Sequence, residues 1–146
     1  MFKPSSEIIV KATFTLSPNE NFKNIKIHIA ANGEALVSKQ ELEIYEYLLE
    51  QEDLHVGYEL PFEGREKTLY PDFTVTNKLN NKTYVWEHLG MTNNEKYLDK
   101  IPQKISWYRE NGLETIEKKG RLIISFYNER TFFKDVCNFV EIIKGI

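Results

Sequence analysis

Tyr70-Pro71-Asp72-Phe73-Thr74-Val75 and, after a polar turn over 76–82, Thr83-Tyr84-Val85-Trp86-Glu87-His88-Leu89-Gly90 decide how this chain folds. Both runs are rich in β-branched and aromatic residues, as strands are, and each carries one acidic residue at an end. Paired as a hairpin, they put Asp72 near the start of the first strand and Glu87 near the end of the second. The two carboxylates then face each other across one edge. Hard cations such as Mg²⁺ need oxygen ligands that converge in this way, and metal-assisted phosphodiester hydrolysis needs such cations.

The rest of the chain supplies the layers around that hairpin. Residues 7–16 and 25–30 read as strands, the second alternating strictly as IKIHIA, and residues 55–60 form a short strand closed by Pro61. Ser38 opens a helix to about Gln51, with Leu42, Tyr45, Leu48 and Leu49 as its apolar stripe. Residues 62–67 read as a polar loop. A helical region runs from Asn93 or Asn94 to about Glu110, kinked or divided by Pro102 and stopped at Asn111-Gly112. A buried strand over 121–127 precedes a helix capped by Thr131, whose core face is Phe132, Phe133, Val136, Phe139, Val140 and Ile143. This order gives one mixed α/β domain over 1–146, with 1–24 as an N-terminal strand extension.

Composition narrows the function classes. The 146 residues are 41% hydrophobic and 28% charged, ordinary for a globular domain with a sizeable core. No apolar run of about 18 residues is present, and the start lacks an apolar leader segment, so a cytoplasmic protein is expected. Cys137 is the single cysteine, which rules out an internal disulfide and disfavours a cysteine-based zinc site. A net charge of −3 argues against non-specific coating of nucleic acid. It leaves room for a nuclease whose carboxylates are neutralised by metal and whose basic residues gather on one face.

A helix packed on the hairpin brings Glu41 towards Asp72 and Glu87. Three carboxylates at close range raise each other's pKa, and a cation relieves them. Pro71-Asp72, followed 15 residues later by Glu87 at the end of an apolar strand, resembles the core of the PD-(D/E)XK nuclease superfamily. Ser38-Lys39-Gln40-Glu41, Tyr58-Glu59-Leu60-Pro61, Tyr70-Pro71-Asp72-Phe73, Trp86-Glu87-His88-Leu89-Gly90 and Lys104-Ile105-Ser106-Trp107-Tyr108-Arg109-Glu110-Asn111-Gly112 occur in order. That run is similar to the nuclease modules attached to some superfamily-1 helicases and found in mobile-element or defence proteins.

The resemblance implies a restriction-endonuclease-like α/β fold, a central mixed sheet flanked by helices, and Mg²⁺- or Mn²⁺-dependent cleavage of DNA. It also implies a helicase or other DNA-processing protein as a partner. By position, Asp72 is the bridging metal ligand, Glu87 the second carboxylate and the His88 carbonyl a further ligand, with Glu41 acting from the helix. The superfamily's lysine belongs two residues after Glu87, where this chain has Leu89. Lys104, or Lys100 one helical turn earlier, is the favoured replacement. The His88 imidazole is the other candidate, although strand alternation turns it away from Glu87.

Structural readings stand beside these. Ser38…Glu41 is also a capping-box pattern, Pro71-Asp72 also a turn pair, and Glu87 also a polar residue ending an apolar run. Lys96, Lys100 and Lys104 form a basic helical face, either a DNA track or a solvated surface. His28 and His55 read as solvent-facing, Cys137 as packing, and Trp107 and Tyr108 as core. The alternatives to a nuclease are a catalytically inactive nuclease-like module binding DNA or a protein partner, and an interaction protein in which the acidic triad is coincidence.

Overall fold

A computed structural model gives the structure of the protein and describes residues 15–16, 25–90 and 95–146. Residues 7–14 of the strand expected over 7–16, and the caps Asn93 and Asn94, lie outside the described residues. Two small antiparallel pairs lead in: β1 (Thr15–Leu16) with β2 (Ile25–Lys26), and β3 (His28–Ile29) with β4 (Ala35–Leu36). Residues 25–30 thus form two short strands broken at Ile27.

Helix α1 (Lys39–Leu49) starts where Ser38, in extended conformation, accepts the Glu41 amide on its hydroxyl at 3.0 Å. Its buried positions are Glu41, Ile44, Tyr45 and Leu48, spaced i, i+3, i+4, i+7. This corrects the expected stripe: Ile44 replaces Leu42 at its centre, and Leu49 is exposed at the end of the helix.

The central sheet has the order β10–β9–β8–β5, formed by β5 (Leu54–Tyr58), β8 (Phe73–Asn77), β9 (Lys82–Leu89) and β10 (Leu122–Phe126). β5, β8 and β9 are antiparallel neighbours, whereas β10 runs parallel to β9. A parallel neighbour needs a crossover, which α2 (Glu95–Asp99) and α3 (Ile101–Glu110) provide. Pro102 sits in the first turn of α3, where its missing N–H costs nothing. Gly112, at φ +87°, stops that helix in a conformation suited to glycine. Residues 62–67, expected as loop, instead contribute β6 (Phe62–Glu63), which pairs with β7 (Thr68–Leu69).

One face of the sheet is covered by α1 and α4 (Phe132–Lys144). Phe73, Val75, Trp86 and Ile123 meet Ile44, Leu48, Val136, Val140 and Ile143 there. Phe133 is a correction to the predicted α4 core face: it is 65% exposed, packing edge-on to Tyr47 outside the core. On the other face Val85 and Leu122 pack with Tyr108 and Leu113, joined by Phe62 and Trp107. The molecule is therefore a mixed α/β layer structure with a central mixed sheet flanked by helices. No helix among the described residues is long and apolar enough to cross a membrane.

Candidate functional site

The β8–β9 ladder pairs Phe73 with Trp86. One step beyond that rung, Asp72 stands opposite Glu87, and directly opposed side chains share a face. Phe73 and Trp86 point into the α1/α4 core, so Asp72 and Glu87 belong to the α3 face. The hairpin register expected from the sequence is thus the one formed.

The main chain of His88 completes this edge. The Val85 amide donates to Arg121 and the Leu89 carbonyl accepts from Tyr127, so these residues of β9 bond towards β10. Trp86 and His88 therefore present their main-chain groups towards β8. The ladder ends at Phe73, and the His88 N–H donates instead to Asp72 Oδ2 at 2.7 Å. Because the N–H and C=O of one strand residue point to the same side, the His88 carbonyl faces the side on which Asp72 lies.

Each of the other acids has its own phenol. Tyr108, fully buried in α3, donates to Glu87 Oε2 at 2.6 Å. Tyr58, at the end of β5, donates to Glu41 Oε1 at 2.7 Å. Ser38 caps α1, but the Glu41 carboxyl turns to Tyr58 in place of the reciprocal capping arm. Burial and the adjacent carboxylates push both phenol pKa values up, so the two tyrosines stay hydrogen donors.

Burial pushes the Glu41 carboxyl up to about 7, against hydrogen bonding from Tyr58. Burial, reinforced by the charges of Glu41 and Glu87, holds Asp72 well above the usual carboxylate range, while the His88 amide and Lys104 work the other way. Lys104 reaches in from α3, with Nζ 3.5 Å from Glu87 Oε1. Glu87, Leu89, Lys100, Ile101, Lys104 and Ile124 line a cavity of about 110 Å³ beside this pair. Lys104 thus meets Glu87 beside Leu89, which lines the same cavity from the strand. Lys100 lines the same cavity, and Lys96 is exposed on the separate helix α2.

The His88 ring lies on the opposite face, as alternation requires. Its Nδ1 is 2.8 Å from Ser125 Oγ and its Nε2 2.7 Å from Gln40 Oε1. Burial lowers its pKa to about 4, which keeps the imidazole neutral at physiological pH. Its ring is therefore not at the acidic edge; only its main chain is. Sequence reasoning read Tyr108 as core and assigned no role to Tyr58, Gln40 or Ser125. His55 is exposed, His28 and Cys137 are half-buried, and Trp107 packs on Phe62 with Nε1 donating to the Arg65 carbonyl at 3.2 Å.

Among the described residues no three His, Cys, Asp or Glu side chains close on one point as a ready metal-ligand set. The register and the His88 hydrogen bond place two carboxylates and one carbonyl along this edge, all hard oxygen. Mg²⁺ is commonly bound by one or two carboxylates while keeping several waters, so the donor set fits that ion class. The charges of Glu41 and Glu87, which help burial raise Asp72, fit it as well.

No family model matches the chain. Over 108 residues it is 35% identical to the uncharacterized protein MJ1519 of Methanocaldococcus jannaschii, an overlap covering 73% of this chain. The overlap spans only 8% of that protein's length.

Proposed function

We propose that the protein is a metal-dependent nuclease of the PD-(D/E)XK type, hydrolysing phosphodiester bonds in DNA. The observation that carries this reading is the placement of Asp72 and Glu87 on one face of a strand edge, with Lys104 Nζ 3.5 Å from Glu87. Asp72, Glu87 and the His88 carbonyl would hold Mg²⁺ or Mn²⁺. Such an ion, when bound, supplies an activated water and stabilises charge on the scissile phosphate.

The protein's own groups have separable tasks. Tyr108 and the His88 amide each fix one oxygen of Glu87 and Asp72, orienting the second oxygen of each. Glu41, with a pKa pushed to about 7, accepts or releases a proton near neutral pH beside Asp72. Lys104 places positive charge on the same side, in the role the strand lysine would have filled. Lys100 and Lys104 give the cavity beside Glu87 the charge that a phosphate backbone seeks. The restriction-endonuclease-like fold, with its central mixed sheet and flanking helices, is part of this proposal. So is association with a helicase or other DNA-processing protein.

The test is incubation of plasmid DNA with Mg²⁺ or Mn²⁺, comparing wild type with Asp72→Ala and Glu87→Ala. Nicking by wild type and its loss, by about 10³-fold or more, in both variants is expected. Cleavage that persists in Asp72→Ala overturns the assignment. One observation favours a second reading, an inactive DNA-binding module: Leu89 is buried at the position of the strand lysine. Salt-sensitive DNA binding by wild type without any cleavage would select it.

A further inference from the structure

The geometry points to His88 as the positioning residue of the acidic edge: its ring ties the start of α1 to the end of β9, so that Glu41 and Asp72 are held beside Glu87. This rests on the reading of that edge as a cation-dependent site. The ring is buried on the back of the sheet and meets three elements. It bonds to Gln40 of α1 and to Ser125 of β10, and it packs 5.5 Å from the Phe132 ring at the start of α4. Gln40 presents Oε1 to Nε2, which assigns the ring hydrogen to Nε2 and leaves Nδ1 to accept from the Ser125 hydroxyl. The Ser125 oxygen in turn accepts the Trp86 Nε1–H at 2.8 Å. The Trp86, Ser125 and His88 hydrogens are all used, and all point the same way.

An apolar residue at 88 would fill the space but leave Ser125 Oγ and Gln40 Oε1 without that partner in a buried setting. Histidine supplies two opposed hydrogen-bonding atoms on a rigid plane. Gly90 leaves the space that the Gln40 amide occupies: a Cβ there would stand 3.1 Å from its Oε1. Gln40 directly precedes Glu41, and the His88 N–H holds Asp72 Oδ2. One residue thereby fixes two acids, the first through its ring and the second through its main chain. Groups behind metal ligands act in this way, orienting them without touching the ion.

The test uses the full chain as Gln40→Leu and Ser125→Ala, with Gln40→Glu as the variant that keeps the acceptor. Hydrogen exchange of the His88 amide is compared with that of the core amides of Ile44 and Ile123, and Mn²⁺ binding is measured by calorimetry. In the first two variants, His88 amide protection falls about tenfold with the core amides unchanged, the scale of one lost hydrogen bond. Mn²⁺ affinity falls about 10- to 100-fold, and Gln40→Glu recovers the amide protection. Protection and affinity both within about twofold of wild type overturn the inference, and so does protection lost equally at Ile44 and Ile123. If wild type takes up no Mn²⁺, the nuclease proposal falls and the exchange data alone decide the role of His88.

Discussion

The two faces of β9 hold polar groups of opposite character within three residues of each other. Behind the strand, Trp86, Ser125, His88 and Gln40 form a neutral chain in which donors and acceptors match. In front, Glu87 and Asp72 are acids with Lys104 as the cation drawn against them, and Glu41 reaches the same edge from α1; burial pushes Asp72 and Glu41 up, helped at Asp72 by the charges of Glu41 and Glu87. A satisfied neutral network specifies packing at little electrostatic cost, whereas an under-neutralised acidic cluster is costly unless something binds there. The contrast separates the part of the strand that builds the fold from the part proposed to hold a cation.

The comparison can be broken first from behind. Trp86 is fully buried between Phe73 and Phe139, so Trp86→Ala should destabilise by about 3–5 kcal/mol, measured by chemical denaturation. A loss under about 1 kcal/mol would mean that the back face is not the core it looks to be.

The second way is titration of the cation-free protein, where the faces pull in opposite directions. Glu41 rises from 4.5 unfolded to about 7 folded, so its contribution is full below pH 4.5 and is lost as pH rises through 7. Asp72 acts with the same sign. His88 falls from 6.5 to about 4, so its contribution is full above pH 6.5 and is lost as pH falls towards 4. Between 4.5 and 6.5 the slopes oppose. Glu41→Gln removes one of them, and its stability should gain on wild type by about 3 kcal/mol from pH 4.5 to 8. Parallel stability curves for the two proteins would show that Glu41 is not perturbed.

Third, Lys104→Met removes the front-face cation while keeping the stem. Cleavage should fall about 10²-fold in kcat. Stability should change by less than about 1 kcal/mol, because the lysine is 39% exposed and such pairs are screened by water. Undiminished cleavage would end its role as the displaced lysine.

Much of this arrangement was legible in the sequence because it depends on period two. Alternation over 72–76 and 83–89 sets which residues share a face, and it turns the His88 ring away from Glu87. The α1 stripe was less legible. Glu41, Ile44, Tyr45 and Leu48 are the buried set; Glu41 is expected to turn towards the hairpin, but with a carboxylate at an apolar position the stripe reads one face round, on Leu42 and Leu49. Tyr58 and Tyr108 read as ordinary strand and helix aromatics; their hydroxyls matter only because sheet and helix bring them to acids 17 and 21 residues away. The β6–β7 pair was hidden because two-residue strands carry no periodic signal.

Tyr108 offers the finest distinction between the faces, since it belongs by packing to one logic and by its hydroxyl to the other. Its ring lies 5.2 Å edge-on from Phe62 and 5.4 Å from Trp107, and none of that packing involves the phenol oxygen. Tyr108→Phe therefore keeps the aromatic cluster and deletes only the 2.6 Å bond to Glu87 Oε2. Because the acceptor is a carboxylate, about 1.5–2 kcal/mol of stability should be lost in the cation-free protein. The deficit should widen when Mn²⁺ is added if the ion occupies the edge, since a less firmly oriented Glu87 holds the ion more weakly and wild type then gains more stability by mass action. A Tyr108→Phe protein as stable as wild type, with or without Mn²⁺, would place Tyr108 wholly with the packing and leave Glu87 to be positioned by Lys104 alone.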